Sequence, residues 1–89
     1  MDNLCEAILA LKSLGDCYAF CEDLCTVSEL KSMAQRWEVA KMLEDNFTYG
    51  EIAAQTGAST ATISRDKRCL NYGADGYRII LERLKQTND

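Results

Sequence analysis

The 89-residue sequence predicts an all-α fold of about six helices. Proline is absent and glycine occurs only five times, so few residues interrupt a helix. Apolar residues recur three and four positions apart along most of the chain, whereas no segment alternates apolar and polar residues as a half-buried strand does. The apolar and charged fractions, 47% and 27%, are typical of a globular protein. We therefore expect residues 1–89 to form a single all-helical domain.

The first two helices are expected over residues 2–14 and 17–25. Gly15 is expected to end the first helix, and Asp16 is in a position to cap the second. The second helix places three cysteines on one face, at Cys17, Cys21 and Cys25. Five cysteines without an export signal do not describe a disulfide framework, and a zinc site needs four ligands in a chain that has no histidine. We predict that these cysteines pack in the core and that the chain binds no metal.

A longer third helix is expected from Thr26 to about Glu44. Thr26 and Glu29 have the three-residue spacing of a reciprocal capping box, which marks the start of a helix. The apolar stripe of this helix includes Trp37, which we expect in the core together with Phe20. Apolar faces in so short a chain exceed what it can bury alone, since about 60–65% of the unfolded surface is buried at this size. The helices of residues 1–45 are therefore predicted to form a dimer interface.

Residues 48–70 have the layout of a helix-turn-helix. Thr48 and Glu51 form a second capping-box pattern, and Gly57 follows where a sharp turn needs positive φ. Ser59 can cap the second helix, while Ala53 and Ile63 are placed to let the two helices pack closely. An ordinary αα-hairpin has similar spacing, so the spacing alone does not separate the two interpretations. A final helix is expected over residues 74–86.

The exposed face of the second helix of this motif, which follows Gly57, favours the DNA-binding interpretation. In a helix-turn-helix the second helix enters the major groove, where hydroxyl and guanidinium groups read base edges and contact phosphates. We expect Ser59, Thr60, Ala61 and Ser64 to read bases, Arg65 to contact a guanine or a phosphate, and Lys67 and Arg68 to contact phosphates. Contacts to the DNA backbone are expected from Thr48 and Tyr49, at the start of the first helix of the helix-turn-helix. The candidate DNA-binding residues are Thr48, Tyr49, Ser59, Thr60, Ala61, Thr62, Ser64, Arg65, Lys67 and Arg68.

The charge distribution qualifies this hypothesis, because the whole chain has a net charge of −4. Residues 1–31 carry six acidic residues and two lysines, whereas residues 48–72 carry three basic and two acidic residues. An acidic body weakens non-specific DNA binding, which is almost wholly electrostatic, more than specific binding. The rival hypothesis is a dimeric helical module that docks on another protein without binding DNA.

Other function classes are excluded by what the sequence lacks. No histidine is present to act as a base for Ser64 or Cys69, and no glycine-rich loop follows a strand. We therefore expect no enzyme activity and no catalytic residue. No apolar run has the length of a membrane span, and Met1-Asp2-Asn3 does not begin a signal peptide. The expected location is the cytoplasm.

Several stretches resemble the bacterial Trp repressor family. Residues 57–65 (GASTATISR) resemble the recognition segment of that family, and residues 34–40 (AQRWEVA) resemble the helix that leads into it. The resemblance is closer to the small YerC/YecD branch, and it extends over residues 24–26, 33–36 and 68–73. It implies an intertwined all-α homodimer, whose first helices cross between subunits, and which presents two recognition helices to a palindromic operator in double-stranded DNA.

The resemblance also implies a small-molecule site. In tryptophan-responsive members two arginines enclose the indole ring and a glycine follows the second arginine. Arg36 and Arg65 match those arginines, so they are the candidate effector-binding residues. Asp66 stands in place of the glycine, and the segment between Arg36 and the turn is one residue shorter here. Both departures argue against tryptophan as co-repressor. We expect no cofactor and leave a co-repressor of other chemistry open.

Overall fold

The computed structural model describes residues 1–88, with side chains to Thr87, and these residues form six α-helices without a strand. The helices are α1 (Asp2–Leu9), α2 (Leu14–Leu24), α3 (Val27–Glu44), α4 (Tyr49–Thr56), α5 (Thr60–Tyr72) and α6 (Gly76–Asn88). The all-α prediction is therefore confirmed. The chain divides into two compact parts, one of residues 1–31 and one that begins at Ser32.

The first predicted helix was too long. α1 ends at Leu9, and α2 already begins at Leu14, so Gly15 lies inside α2 rather than at the end of a helix. Ser13, not Asp16, is the N-cap of α2, because its hydroxyl accepts a hydrogen bond from the Asp16 backbone N–H at 3.0 Å. The apolar spacing of Leu11 and Leu14 continued across this break and concealed it.

The part of residues 1–31 has no interior of its own. None of its side chains is buried, and Leu9, Leu14 and Val27 are 84%, 74% and 69% exposed. Its order comes from local caps. The Thr26 backbone N–H donates to Glu29 Oε1 at 2.8 Å, and the Glu29 N–H donates to Thr26 Oγ1 at 3.1 Å, which confirms the predicted capping box. The apolar surfaces of α1 and α2 are therefore left uncovered within this part.

The core lies in the part that begins at Ser32. Five buried side chains form it, contributed by α3, α4, the turn after α4, and α5: Val39, Met42, Ile52, Ala58 and Ile63. Because the two helices of the predicted helix-turn-helix both pack on α3 here, burial of these side chains fixes α5 against its neighbours. A side chain of this kind contributes about 1.5–3 kcal/mol when fully buried.

α5 ends later than predicted, and α6 begins later than predicted. α5 continues through Asn71 to Tyr72, and α6 starts at Gly76 instead of residue 74. Arg78 of α6 stabilises the end of α5, since its Nε donates to the Leu70 carbonyl at 2.8 Å and its Nη2 donates to Asn71 Oδ1 at 3.0 Å. Gly73 then closes the helix, because a Cβ there would collide with the Cys69 carbonyl, which accepts the Gly73 N–H.

Candidate nucleic-acid interface

The first helix of the candidate interface, α4, is closed at both ends by side chains. Thr48 Oγ1 accepts the Glu51 N–H at 3.1 Å, and Glu51 Oε1 accepts the Thr48 N–H at 2.9 Å, so the second capping box is also present as predicted. At the other end Thr56 Oγ1 donates to the Ile52 carbonyl at 2.7 Å and accepts the Ala58 N–H at 3.1 Å. The helix is therefore held as two rigid turns.

The turn between α4 and α5 is made by Gly57. Its φ of 73° and ψ of 7° lie in the left-handed region, which glycine enters without a Cβ penalty. Gln35 of α3 braces this turn, because its Nε2 donates to the Thr56 carbonyl at 3.1 Å. Ser59 follows as the N-cap of α5, and its Oγ accepts the Thr62 N–H at 3.1 Å. These local bonds set the direction in which α5 leaves the turn.

α5 has one buried and one exposed face. Its buried residues are Ile63, Asp66 and Leu70, at the spacing of a single helical stripe. The candidate base-contacting and phosphate-contacting residues on the opposite side are exposed: Ser59, Thr60, Ala61, Ser64, Arg65, Lys67 and Arg68. Thr62 differs from them, because it is half-buried and its hydroxyl accepts a hydrogen bond from Ser59 Oγ at 3.1 Å. The hydroxyl and guanidinium groups therefore form one continuous polar face.

The structure brings the candidate residues of α4 and α5 together. Lys67 Nζ of α5 lies 5.6 Å from the centre of the Tyr49 ring of α4, within the range of a cation–π contact. Tyr49 itself is half-buried against the core, whereas Thr48 is exposed at the helix start. Lys67 is thus held near the N-terminal end of α4, where backbone N–H groups and the helix dipole favour an anion such as a phosphate.

The candidate effector residues Arg36 and Arg65 line one cleft. The cleft has a volume of about 390 Å³, and its other walls are Met33, Trp37, Asp66, Cys69 and Tyr77. Trp37 and Tyr77 form one side, with ring centres 6.1 Å apart and planes inclined at 40°. Both arginines therefore reach the same space, and their binding of an effector stays a prediction. The prediction that Trp37 lies in the core is correct only in part, because the Trp37 side chain is half-buried.

Asp66 lies at the back of this cleft and is the one buried charged residue among those described. Its Oδ1 accepts a hydrogen bond from the Tyr77 hydroxyl at 3.4 Å, whereas its buried Oδ2 has no partner among the described residues. Burial raises the pKa of the Asp66 carboxyl, against the opposing effects of the Tyr77 hydrogen bond and the charges of Arg36 and Arg65. The sequence marked Asp66 as unusual but did not reveal its contact with Tyr77.

The cysteines are less buried than predicted. Cys17, Cys21 and Cys25 are half-buried within their part of the chain, and Cys5 is exposed. Burial raises the pKa of the Cys21 thiol, and the neighbouring thiols Cys17 and Cys25 raise it further. Within residues 1–88, no group of three or more metal-ligating side chains is arranged to hold a metal ion. None of the six described helices is both long enough and apolar enough to span a membrane.

The fold and this interface define a class: an all-α protein with a capped helix, a glycine turn and a second helix that exposes hydroxyl and cationic groups. A family model described as Trp repressor protein matches residues 1–85, and the chain belongs to this family. Members of the family are regulators rather than enzymes. The family resemblance in the sequence is therefore confirmed.

Individual relatives agree with this assignment. The uncharacterized protein YerC of Bacillus subtilis (strain 168) is 58% identical over 87 residues, which cover 98% of this chain and 84% of YerC. The crystal structure of a candidate Trp repressor from Staphylococcus aureus matches with a TM-score of 0.91 at 51% identity, covering 94% of this chain and 84% of the other. A TrpR-like protein from Eubacterium eligens ATCC 27750 also has a TM-score of 0.91, at 57% identity, covering 94% and 87%.

Proposed function

We propose that this protein is a sequence-specific DNA-binding transcriptional regulator, acting as a repressor in the cytoplasm. The observation that carries the proposal is the exposed face of α5. Its hydroxyl and guanidinium groups lie opposite a buried stripe, at the N-terminal half of the helix that a helix-turn-helix inserts into the major groove. Membership of the Trp repressor family supports the same function.

The proposed active form is a homodimer. Residues 1–31 contain no buried side chain, and their large apolar side chains, among them Leu9 and Leu14, need a cover that this part of the chain does not supply. A second copy with the same uncovered helices is the simplest complement, because a two-fold interface uses the same surface on both subunits. Two recognition helices would then reach successive major grooves about 34 Å apart on a palindromic site.

The cleft between Arg36 and Arg65 is the proposed effector site. Its volume of about 390 Å³ falls within the range of small-molecule pockets. Two guanidinium groups and two aromatic rings line it, so a small planar anion fits its chemistry. Asp66 argues against a ligand that would bring a carboxylate to the same wall, and the co-repressor is therefore proposed to differ from tryptophan.

The experiment that tests DNA binding is selection of sites from random duplex DNA, read by sequencing. Enrichment of a palindrome with half-sites about one helical turn apart would support both the regulator and the dimer. The selection is repeated at low salt with pooled metabolites, so that a requirement for an effector is also detected. Absence of enrichment in both selections would refute DNA binding and favour the protein-interaction module.

Two substitutions on the selected site separate base reading from phosphate contact. Thr60→Ala is expected to remove about 1 kcal/mol of discrimination at one base position. Lys67→Ala is expected to weaken all sites alike and to reduce the slope of log affinity against log salt by about 1. The controls are Thr87→Ala and Lys85→Ala, which make the same chemical changes on α6. Equal effects of Thr60→Ala and Lys67→Ala across the panel of sites would refute the assignment of bases to Thr60.

A further inference from the structure

The buried stripe of α5 contains a charged residue where an aliphatic one would be less costly. Asp66 is 1% exposed and lies between the apolar positions Ile63 and Leu70. Its Oδ2 has no hydrogen-bond partner among the described residues. Replacing a buried ion by an apolar residue of similar volume is often neutral or stabilising, so packing does not explain an aspartate here. A buried polar group without a partner calls for a role of another kind.

The charged and titratable groups that face Asp66 come from three helices. α3 contributes Arg36, α5 contributes Arg65 and Cys69, and α6 contributes Tyr77, all of which line the same cleft. Among the described residues, only the Tyr77 hydroxyl is hydrogen-bonded to the carboxyl, at 3.4 Å. Arg36 and Arg65 act on the carboxyl through their charges, although neither forms an ion pair with it among the described residues. The carboxylate therefore attracts two guanidinium groups without binding either.

Arg65 has two alternatives. Its backbone places it on the exposed face of α5, beside Ser64 and Arg68, where the proposed function requires it to contact DNA. Its side chain also lines the cleft in which Asp66 lies. Arg65 is exposed and lines the cleft at the same time, so a change in its side-chain conformation brings the guanidinium closer to one side or the other. The direction that the Arg65 guanidinium takes depends on two negative charges, a DNA phosphate on the exposed side of α5 and the Asp66 carboxylate on the cleft side.

We propose that Asp66 is a positioning residue that competes with DNA for Arg65: the ionised carboxylate attracts the guanidinium toward the cleft through space, and protonation of the carboxyl weakens this attraction and leaves Arg65 free for the DNA-facing side of α5. This inference rests on the proposed function, because it assigns a second role to a residue of the proposed interface. Asp66 is buried and in contact with the Tyr77 hydroxyl, whereas Arg65 is exposed, so Arg65 is the group with room to move.

The competition links DNA binding to protonation. When DNA binds, the Arg65 guanidinium moves away from Asp66, and the loss of this positive charge beside the carboxyl favours its neutral form. The complex then carries more protons than the free protein, and DNA affinity rises as the pH falls. Neutralising Asp66 is expected to raise the affinity for DNA about two- to fivefold, which is the size of the effect of a partly exposed charge pair.

The test measures affinity for the selected duplex in a double-mutant cycle of Asp66→Asn and Arg65→Ala over a series of pH values. Asp66→Asn keeps the shape of the side chain, and it is expected to tighten binding at neutral pH and to flatten the pH dependence. In the Arg65→Ala background the same change is expected to have no effect. The inference is overturned if Asp66→Asn weakens binding, or if it tightens binding equally in both backgrounds.

Two further measurements keep the outcome decisive if Asp66→Asn does not fold. Arg65 is exposed, so Arg65→Ala leaves the core intact. This substitution is expected to remove the pH dependence of DNA affinity that is expected of the wild-type protein. Without DNA, the titration of the Asp66 carboxyl carbon by NMR is expected to move to higher pH in Arg65→Ala. If no duplex binds, the proposed function fails and the inference with it. If a duplex binds but the titration does not move, the inference alone fails.

Discussion

The glycine turn offers a prediction in which backbone strain can be separated from packing. Gly57 has a φ of +73°, and a Cβ built there would contact only Gln35 Nε2, at 4.0 Å. The site therefore has room for a methyl group, and the cost of Gly57→Ala comes from the left-handed backbone alone. That cost is about 1–2 kcal/mol for an L-residue, partly offset by the lower entropy of the unfolded alanine chain. We expect a net loss of about 1 kcal/mol in the free energy of unfolding.

Two matched variants test the cause of this loss. Gly57→Asn is expected to cost less than Gly57→Ala, because asparagine enters the left-handed region more readily. Gly50→Ala is expected to stabilise the protein by about 0.5–1 kcal/mol, since Gly50 lies in helix α4. There a Cβ would contact only Thr48 Oγ1, at 3.9 Å. The same chemical change is thus predicted to have opposite signs seven residues apart in the sequence.

The assay is urea unfolding followed by far-UV circular dichroism, at one fixed protein concentration because the proposed dimerisation would add to the apparent stability. If the same variants are unfolded by heat instead, a change of 1 kcal/mol corresponds to a shift in Tm of about 4–8 °C for a domain of this size. The reasoning is refuted if Gly57→Asn costs as much as Gly57→Ala, because the loss would then come from contacts with Gln35 and not from φ. If Gly50→Ala destabilises the protein, backbone conformation does not decide whether a glycine-to-alanine change raises or lowers the free energy of unfolding, and the reasoning is refuted.

Two further predictions concern the core and the helix caps. Ile63→Ala is expected to lower the free energy of unfolding by about 2–5 kcal/mol, and Ile63→Val by about 0.5–1.5 kcal/mol, in the same urea assay; similar losses for both would contradict the placement of Ile63 in the core. Hydrogen bonds from the backbone N–H and side chain of Thr48 lower the pKa of Glu51, and the corresponding bonds of Thr26 lower the pKa of Glu29. A lowered pKa in the folded state adds stability that is fully present above the unfolded pKa, and this stability is lost as the pH falls from the usual glutamate range through the lowered folded pKa. The stability difference between wild type and Glu51→Gln is therefore expected to shrink with acidification, and a difference that is constant with pH would contradict the cap.

The capped helix starts at Val27 and Tyr49 could be predicted from sequence because their signals are local. A threonine and a glutamate three residues apart bond each other's backbone, and Gly57 supplies its own conformational freedom, so no distant residue is needed. The same locality places Ser59 at the start of α5. Most of the candidate DNA-binding face follows from these starts, since they fix which residues of α5 lie opposite its buried stripe.

The errors arose where a local pattern was continued too far or where the partner is distant. Leu11 and Leu14 fitted the spacing of the first helix, and the break between Leu9 and Leu14 contains no proline or glycine to signal it. Asp66 stands out in the sequence because it replaces a glycine of the family pattern, but its partner Tyr77 lies eleven residues away on another helix. A contact between helices leaves no spacing in the sequence, so the position of this carboxyl was available only from the structure.

The absence of an interior in residues 1–31 also bears on how long the protein persists in a cell. Apolar helices without a cover are what chaperones and proteases recognise, and a segment held only by local caps opens at little cost. A chain whose α1 and α2 remain uncovered is expected to be degraded faster than one whose helices are covered. If the proposed homodimer provides this cover, copy number would be limited by assembly as well as by synthesis, and surplus subunits would be removed before they accumulate.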